Sequence, residues 1–160
     1  MSAVTVRRAS EDDLDALGEL AGELVRLHHA TDPDRFFLPA QVEQGYVGWL
    51  RRELGREAAA VLVAEQNGAI VGYAYGTLEG RDWNALLDEH GAIHDVLVAA
   101  SARRGGVGRR LVDGLVAELE SRGARRFVLH TMVTNLAAQR LFAACNFRST
   151  MLEMTRSSGG

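Results

Sequence analysis

The sequence predicts a single α/β (α+β) domain, a mixed central sheet of six or seven strands flanked by about four helices, in the order β-α-α-β-β-β-α-β-α-β. Three observations predict it. The chain has 160 residues, 47% of them hydrophobic and 24% charged, which suits one domain with a real core. Its apolar period changes at Ala59, from the helical spacing of the preceding segments to the alternation of strands. An apolar strand near residues 93–99 then runs straight into a glycine-rich loop and a helix.

Each element has its own signal. Val4 and Val6 alternate with Thr5 and Arg7 as a short first strand does. Ser10 with Asp13 reads as a capping box, and Leu14, Leu17, Leu24 and Leu27 carry a helix to about His28. A polar and aromatic loop follows, and Pro39 fits the first position of a second helix bearing Val42, Tyr46, Trp49, Leu50 and Leu54. Val61 to Ala64 and Ile70 to Tyr75 form two strands around the hairpin signal Asn67-Gly68. After a loop from Glu79 to Gly91 comes the strand Ile93–Ala99. Val107, Leu111, Val112, Leu115, Val116 and Leu119 share one helix face, stopped by Gly123. Phe127-Val128-Leu129 is a buried strand, Asn135 to about Cys145 a short helix, and a last strand is expected from Phe147. The domain is expected over residues 1–156, with 157–160 a disordered tail.

All 18 basic side chains are arginine. Without a lysine there is no enzyme Schiff base, no pyridoxal-phosphate anchor and no P-loop. The net charge of -3 makes the chain a poor partner for nucleic acid. One cysteine, Cys145, excludes an internal disulfide framework and CxxC metal sites; no metal is expected, and the thiol is expected in the core. No apolar run reaches the roughly 18 residues of a membrane span, and no signal-peptide core is visible, so a cytoplasmic location is expected.

The chemistry is concentrated at residues 93–119. A loop without bulky side chains, at a helix N-terminus, points backbone N–H groups into one concavity and forms an anion site. No Gly-Lys-Ser/Thr sequence and no third dinucleotide-type glycine follow, so a pyrophosphate held by backbone and arginines fits best.

The run Asp95-Val96-Leu97-Val98, followed after four residues by Arg103-Arg104-Gly105-Gly106-Val107-Gly108, resembles motif A of the GNAT N-acetyltransferases. Downstream, Asn135-x-x-Ala138-x-x-Leu141-Phe142-x-x-x-Asn146-Phe147 is similar to motif B of that family. The resemblance implies an acetyl-CoA-dependent N-acetyltransferase in which an amine attacks the thioester directly. It implies that backbone groups of Val96, Leu97 and Val98 hold the pantetheine arm, and that Arg103, Arg104, Gly105, Gly106, Val107, Gly108 and Arg109 hold the pyrophosphate. Asn135, Ala138 and Phe142 are implied as further cofactor contacts. Phe142 stands where the family commonly has the tyrosine that protonates the leaving thiolate, so that role passes to water or to Tyr46, Tyr73 or Tyr75. Asn146 replaces the usual glycine, and asparagine tolerates the left-handed turn.

His94 and Asp95 are the catalytic candidates. In a regular strand they point to opposite faces, so at most one meets the cleft. His94 is either a general base, as its ordinary pKa near ~6.5 allows, or a histidine bonded to a neighbouring strand. Asp95 is expected to serve catalysis or to bond loop amides. His28, Asp32, Phe36 and Tyr75 are the candidates for holding the acceptor, and acids at Asp32, Asp34, Glu79, Asp82, Asp88 and Glu89 would steer a cationic amine. The acceptor is then a small-molecule or peptide amine, with no nucleic acid or membrane partner; a homodimer is compatible with the family, though no segment of the sequence locates an interface. The alternative is a catalytically silent acyl-CoA-binding or sensing module.

Overall fold

The structure is a computed structural model and describes residues 2–159. Strand β1 (Val4–Arg8) pairs antiparallel with β2 (Ala59–Gln66), which forms a hairpin with β3 (Ala69–Glu79). Asn67 and Gly68 both take left-handed φ values, 54° and 76°, the geometry that matches the twist of a two-residue hairpin. Strand β4 (His90–Val98) pairs antiparallel with β3, and β5 (Phe127–Leu129) pairs parallel with β4. The sheet is therefore mixed, in the order β1-β2-β3-β4-β5.

Between β1 and β2 the chain makes α1 (Leu14–Thr31) and α2 (Val42–Leu54). The predicted capping box forms just ahead of α1, where the Asp13 carboxylate accepts from the Ser10 backbone N–H at 2.8 Å. Arg7 also donates to Asp13 through both terminal nitrogens, at 2.8 and 3.0 Å, and holds that buried carboxyl below the usual aspartate range. Helix α2 begins at Val42, three residues past Pro39, because Gln41 takes a left-handed φ of 53° that no continuous helix accommodates. Helices α3 (Val107–Ser121) and α4 (Leu136–Ala144) complete the fold.

Each face of the sheet carries its own core. Ala60, Leu62, Ala64, Ala74 and Ile93 meet Leu111, Val112, Leu115 and Leu119 of α3, with Phe142 of α4 and Cys145 just after it at the margin. On the other face Val61, Val63, Tyr73, Tyr75 and Leu97 meet Leu14, Leu17 and Leu20 of α1 and Leu50 of α2. Leu111, Leu115 and Leu119 are fully buried, each contributing about 1.5–3 kcal/mol of apolar burial.

Two expectations are corrected. Among the described residues the sheet has five strands rather than six or seven, because none follows α4. Phe147 turns back edge-on to Phe142 (6.1 Å between centroids), and Met151, Leu152 and Met154 then lie exposed without a ladder. Alternation makes a strand only where a neighbour offers hydrogen-bonding groups over a useful length, and β5 is three residues long. Strand β3 also runs past its predicted end, so Glu79 is its last residue and not part of the following loop. Residues 157–159 are exposed and carry no regular structure, and Gly160 lies outside the described residues. Among the described residues no helix is long and apolar enough to cross a membrane.

Candidate active site

At the head of α3 the first helical bond runs from Arg110 N–H to Gly106 C=O at 3.1 Å. The amides of Val107, Gly108 and Arg109 thus have no intrahelical acceptor and sit at the positive end of the helix dipole. Gly106 caps the helix with φ 76°, and Arg104 before it also lies in the left-handed region at φ 66°. A side chain on Gly106 would meet nothing within 4 Å, so its absence keeps the concavity open, whereas a Cβ on Gly108 would come within 3.0 Å of Leu141 Cδ2. Val107 is 3% exposed and anchors the loop to the core. Arg103 donates to Val98 C=O at 3.0 Å and reaches Glu23, while Arg109 pairs with Asp113 at 3.5 Å. Arg104 forms no ion pair among the described residues.

Strand β4 borders this concavity. Its pairing with β5 ends at Ile93 opposite Leu129, so from His94 to Val98 one edge of β4 has no strand beside it among the described residues. Asn135 caps α4, its Oδ1 accepting from Ala138 N–H at 3.0 Å. Gln139 donates to the carbonyls of Met132 and Val133 (3.1 and 3.0 Å), fastening the preceding loop. The Asn135 oxygen and the Ala138 amide are therefore occupied by each other, and Phe142 lies half-buried against the α3 core.

The other face holds a cavity of about 190 Å³ lined by Tyr46, Trp49, Leu50, Tyr75, His94 and Asp95. That both His94 and Asp95 line it corrects the expectation that they diverge. The β3–β4 register steps from Tyr75 opposite Asp95 to Gly76 opposite Ile93, leaving His94 as an extra residue in β4. This is a β-bulge, which reverses the side-chain alternation locally. Ile93 accordingly joins the α3 core while Leu97, four residues on, joins the α1/α2 core.

Strand β3 addresses this pair with alternate residues. Tyr73 donates its hydroxyl to Asp95 at 3.1 Å, the Tyr75 ring lies 5.2 Å from that of His94, and Thr77 Oγ1 is 2.8 Å from His94 Nε2. Burial pushes the Asp95 carboxyl above the usual range, opposed by the Tyr73 hydrogen bond and by the nearby imidazoles of His94 and His28. Burial also pushes Tyr46 up to about 12 and raises Tyr73 and Tyr75, so all three phenols stay protonated at neutral pH. Tyr75 donates to Glu53 Oε2 at 2.5 Å, and Arg56 donates to the same oxygen at 3.0 Å.

Of the predicted acceptor residues, only Tyr75 lines the cavity. His28 donates Nδ1–H to Leu24 C=O at 2.8 Å and stacks edge-on with Phe36 at 4.8 Å. Asp32 ends α1, accepting from Arg35 N–H at 3.2 Å. In the 80–89 loop Asp82 bonds the amides of Asn84 and Ala85, and Arg81 holds the Asp88 carboxyl below its usual range. Cys145 is half-buried, and burial pushes its thiol up, away from the thiolate. Among the described residues no three His, Cys, Asp or Glu side chains gather as a metal site. The sequence alone does not single out Trp49, Leu50 or Thr77 for the site. A signal for Thr77 exists in it: Tyr73, Tyr75, Thr77 and Glu79 fall at alternate positions of one strand.

A model of the acetyltransferase (GNAT) family matches residues 23–147. The chain is 26% identical over 145 residues to an uncharacterised N-acetyltransferase of Archaeoglobus fulgidus, covering 89% of this chain and 92% of that one. Its fold is similar to that of the aminoglycoside N-acetyltransferase AAC(6')-Iy in complex with a bisubstrate analogue of coenzyme A, with TM-score 0.79 and 17% identity over 99% of this chain and 100% of the other. It is similar as well to glucosamine-6-phosphate N-acetyltransferase from Arabidopsis thaliana, with TM-score 0.72 and 17% identity over 97% and 98% of the two chains. With its family motifs on the loop of α3 and the head of α4, the chain belongs to the acetyltransferase (GNAT) family and is an acyltransferase.

Proposed function

We propose that the protein transfers the acetyl group of acetyl-CoA to the primary amine of a small-molecule or peptide acceptor by direct attack. The observation that carries this reading is the bulge in β4, which turns His94 and Asp95 together into a cavity beside the strand's unpaired edge. The residues present fit the cofactor. The amides of Val107 to Arg109 have no intrahelical acceptor and suit a pyrophosphate, Arg104 has its guanidinium uncommitted among the described residues, and the open edge of Val96 to Val98, apart from the Val98 carbonyl that Arg103 occupies, offers backbone groups to an extended arm. Acetyl-CoA supplies the activated acyl group as a thioester, with a thiol leaving group of pKa near ~8.5.

The chain's own residues do the rest. Backbone N–H groups on the free edge of β4 polarise an acyl oxygen, a form of catalysis that depends on fixed dipoles. Asp95, held by Tyr73, draws a cationic amine to the cavity floor. His94 takes the amine proton and passes it to water, since its ring is open to solvent. Phe142 has no proton to give, so the thiolate takes its proton from water. Tyr46, Trp49 and Tyr75 offer aromatic walls to the body of the acceptor and ring faces to its cation. Enzymes of aminoglycosides and of glucosamine 6-phosphate share the fold, which supports a small polar amine. The reading needs no nucleic-acid or membrane partner and no second protomer.

The test is release of free coenzyme A thiol from acetyl-CoA across a panel of amines, with thermal unfolding measured beside it. Turnover with at least one amine, and stabilisation by coenzyme A, are expected. Stabilisation without turnover on any amine would leave a silent acyl-CoA-binding module. No stabilisation would remove the cofactor reading altogether.

A further inference from the structure

We propose that Thr77 and Glu79 are positioning residues that fix the tautomer of His94, holding its Nε2–H and leaving Nδ1 as the base; this rests on His94 being the base of the proposed reaction. The argument counts protons. Thr77 Oγ1 lies 2.5 Å from Glu79 Oε1 and 2.8 Å from His94 Nε2. A hydroxyl has a single proton, and an ionised carboxylate has none to give. Thr77 therefore donates to Glu79, at the length of a charge-assisted bond. Its oxygen can then only accept from the imidazole, so Nε2 carries a hydrogen. In the neutral ring Nδ1 consequently holds the lone pair, and among the described residues no group hydrogen-bonds to it.

Burial makes the arrangement strict. Thr77 is 1% exposed, so no solvent molecule competes for its hydroxyl, and the ring of His94 is wedged against Tyr75. The bulge supplies the other half: an unbulged His94 would sit in the regular alternation, whereas the extra residue sets it on the same face as Tyr75 and Thr77. In the reaction the N–H bond of the attacking amine breaks and an Nδ1–H bond forms. The ring becomes imidazolium with its Nε2–H bond to Thr77 intact, and the proton then leaves from Nδ1 to water. Glu79 stabilises the charged ring through the hydroxyl without receiving a proton. Relays of this kind orient the reacting nitrogen, and that orientation is part of the rate.

The tautomer is read directly, without any acceptor, from long-range proton–nitrogen correlations of protein labelled with ¹⁵N-histidine, the His94 signals being assigned by their loss in His94→Gln. The Nε2–H form is expected to dominate in the free enzyme. Thr77→Val keeps the shape and removes the hydroxyl; it should mix the tautomers and lower kcat on the order of tenfold, a part of the 10²–10⁴ that acid–base catalysis supplies. The acceptor KM should change less than kcat, and Thr77→Ser should restore both the tautomer and the rate. Glu79→Gln gives Thr77 an amide donor, which frees its own proton for Nε2 and should shift the ring toward Nδ1–H. A wild-type ring found as the Nδ1–H tautomer, or Thr77→Val at full kcat, would overturn the proposal. Full kcat in His94→Gln with the Nε2–H tautomer present in the wild type would instead overturn the reading of His94 as base, so the two failures are distinguishable.

Discussion

The loop at the head of α3 and the cavity under α2 are made in opposite ways, although β4 borders both. The loop is backbone: outward amides, a left-handed Gly106, and a glycine at 108 where α3 meets α4. The cavity is side chain: Tyr46, Trp49 and Tyr75 around His94 and Asp95, with Tyr75, His94 and Asp95 each tied to a partner on another strand or helix. A backbone site depends on where the chain can go, so few substitutions touch it. A side-chain site depends on what each residue is, so nearly every substitution does. In the proposed reaction acetyl-CoA would meet the first kind of surface and the amine acceptor the second.

The sharpest way to separate the two is His94→Ala, with the largest expected effect. It should lower kcat by about 10²–10⁴ and remove the acid limb of the pH–rate profile. Coenzyme A should still raise the melting temperature as in the wild type. Loss of that stabilisation would show that the cavity and the loop are not separable.

The opposite break is Gly108→Val. Its side chain meets Leu141 across the α3–α4 contact, and overpacking of this kind typically costs about 1–3 kcal/mol. Thermal unfolding should show that loss together with weaker stabilisation by coenzyme A. A variant of wild-type stability and coenzyme A response would mean that α4 moves aside freely.

The smallest effect distinguishes two carboxylates by the sign of their pH dependence. Asp95 is raised in the folded state, so its native form favours the proton more than the unfolded chain does. That contribution is present below the ordinary value near ~3.9 and is lost as pH rises through the folded value. Asp95→Asn should therefore be more stable than wild type at pH 7, with the gap closing in acid. Asp13 is lowered by Arg7, so its contribution is present above ~3.9 and is lost as pH falls. Asp13→Asn should be less stable at pH 7 and equal to wild type in acid. Denaturant melts of both variants at pH 7 and near pH 3 check the two signs, and slopes of the same sign would refute the assignment.

Much of this architecture is legible in the order of the residues. The period change at Ala59, the Asn67-Gly68 turn and the leucine stripe of α3 place two strands and a helix because each depends on neighbours a few residues apart. The glycine loop is legible for the same reason: backbone amides at a helix start need only local sequence. The last strand is not, because Met151 to Met154 alternate correctly yet pair with no strand among the described residues. The cavity is only half legible. His94, Asp95 and Tyr75 stand out by type, but Trp49 and Leu50 arrive from α2, and Glu79 belongs to β3 rather than to a loop.

By itself, then, the amino-acid sequence determined the order of all but the last element and the glycine loop at the head of α3, since these follow from periodicity and local backbone preference. Only the tertiary structure decided which way His94 points. Alternation along an isolated strand sends His94 and Asp95 to opposite faces, and the register between β3 and β4 alone inserts the bulge that brings them together. Register is a property of two strands, and no single segment of the chain contains it.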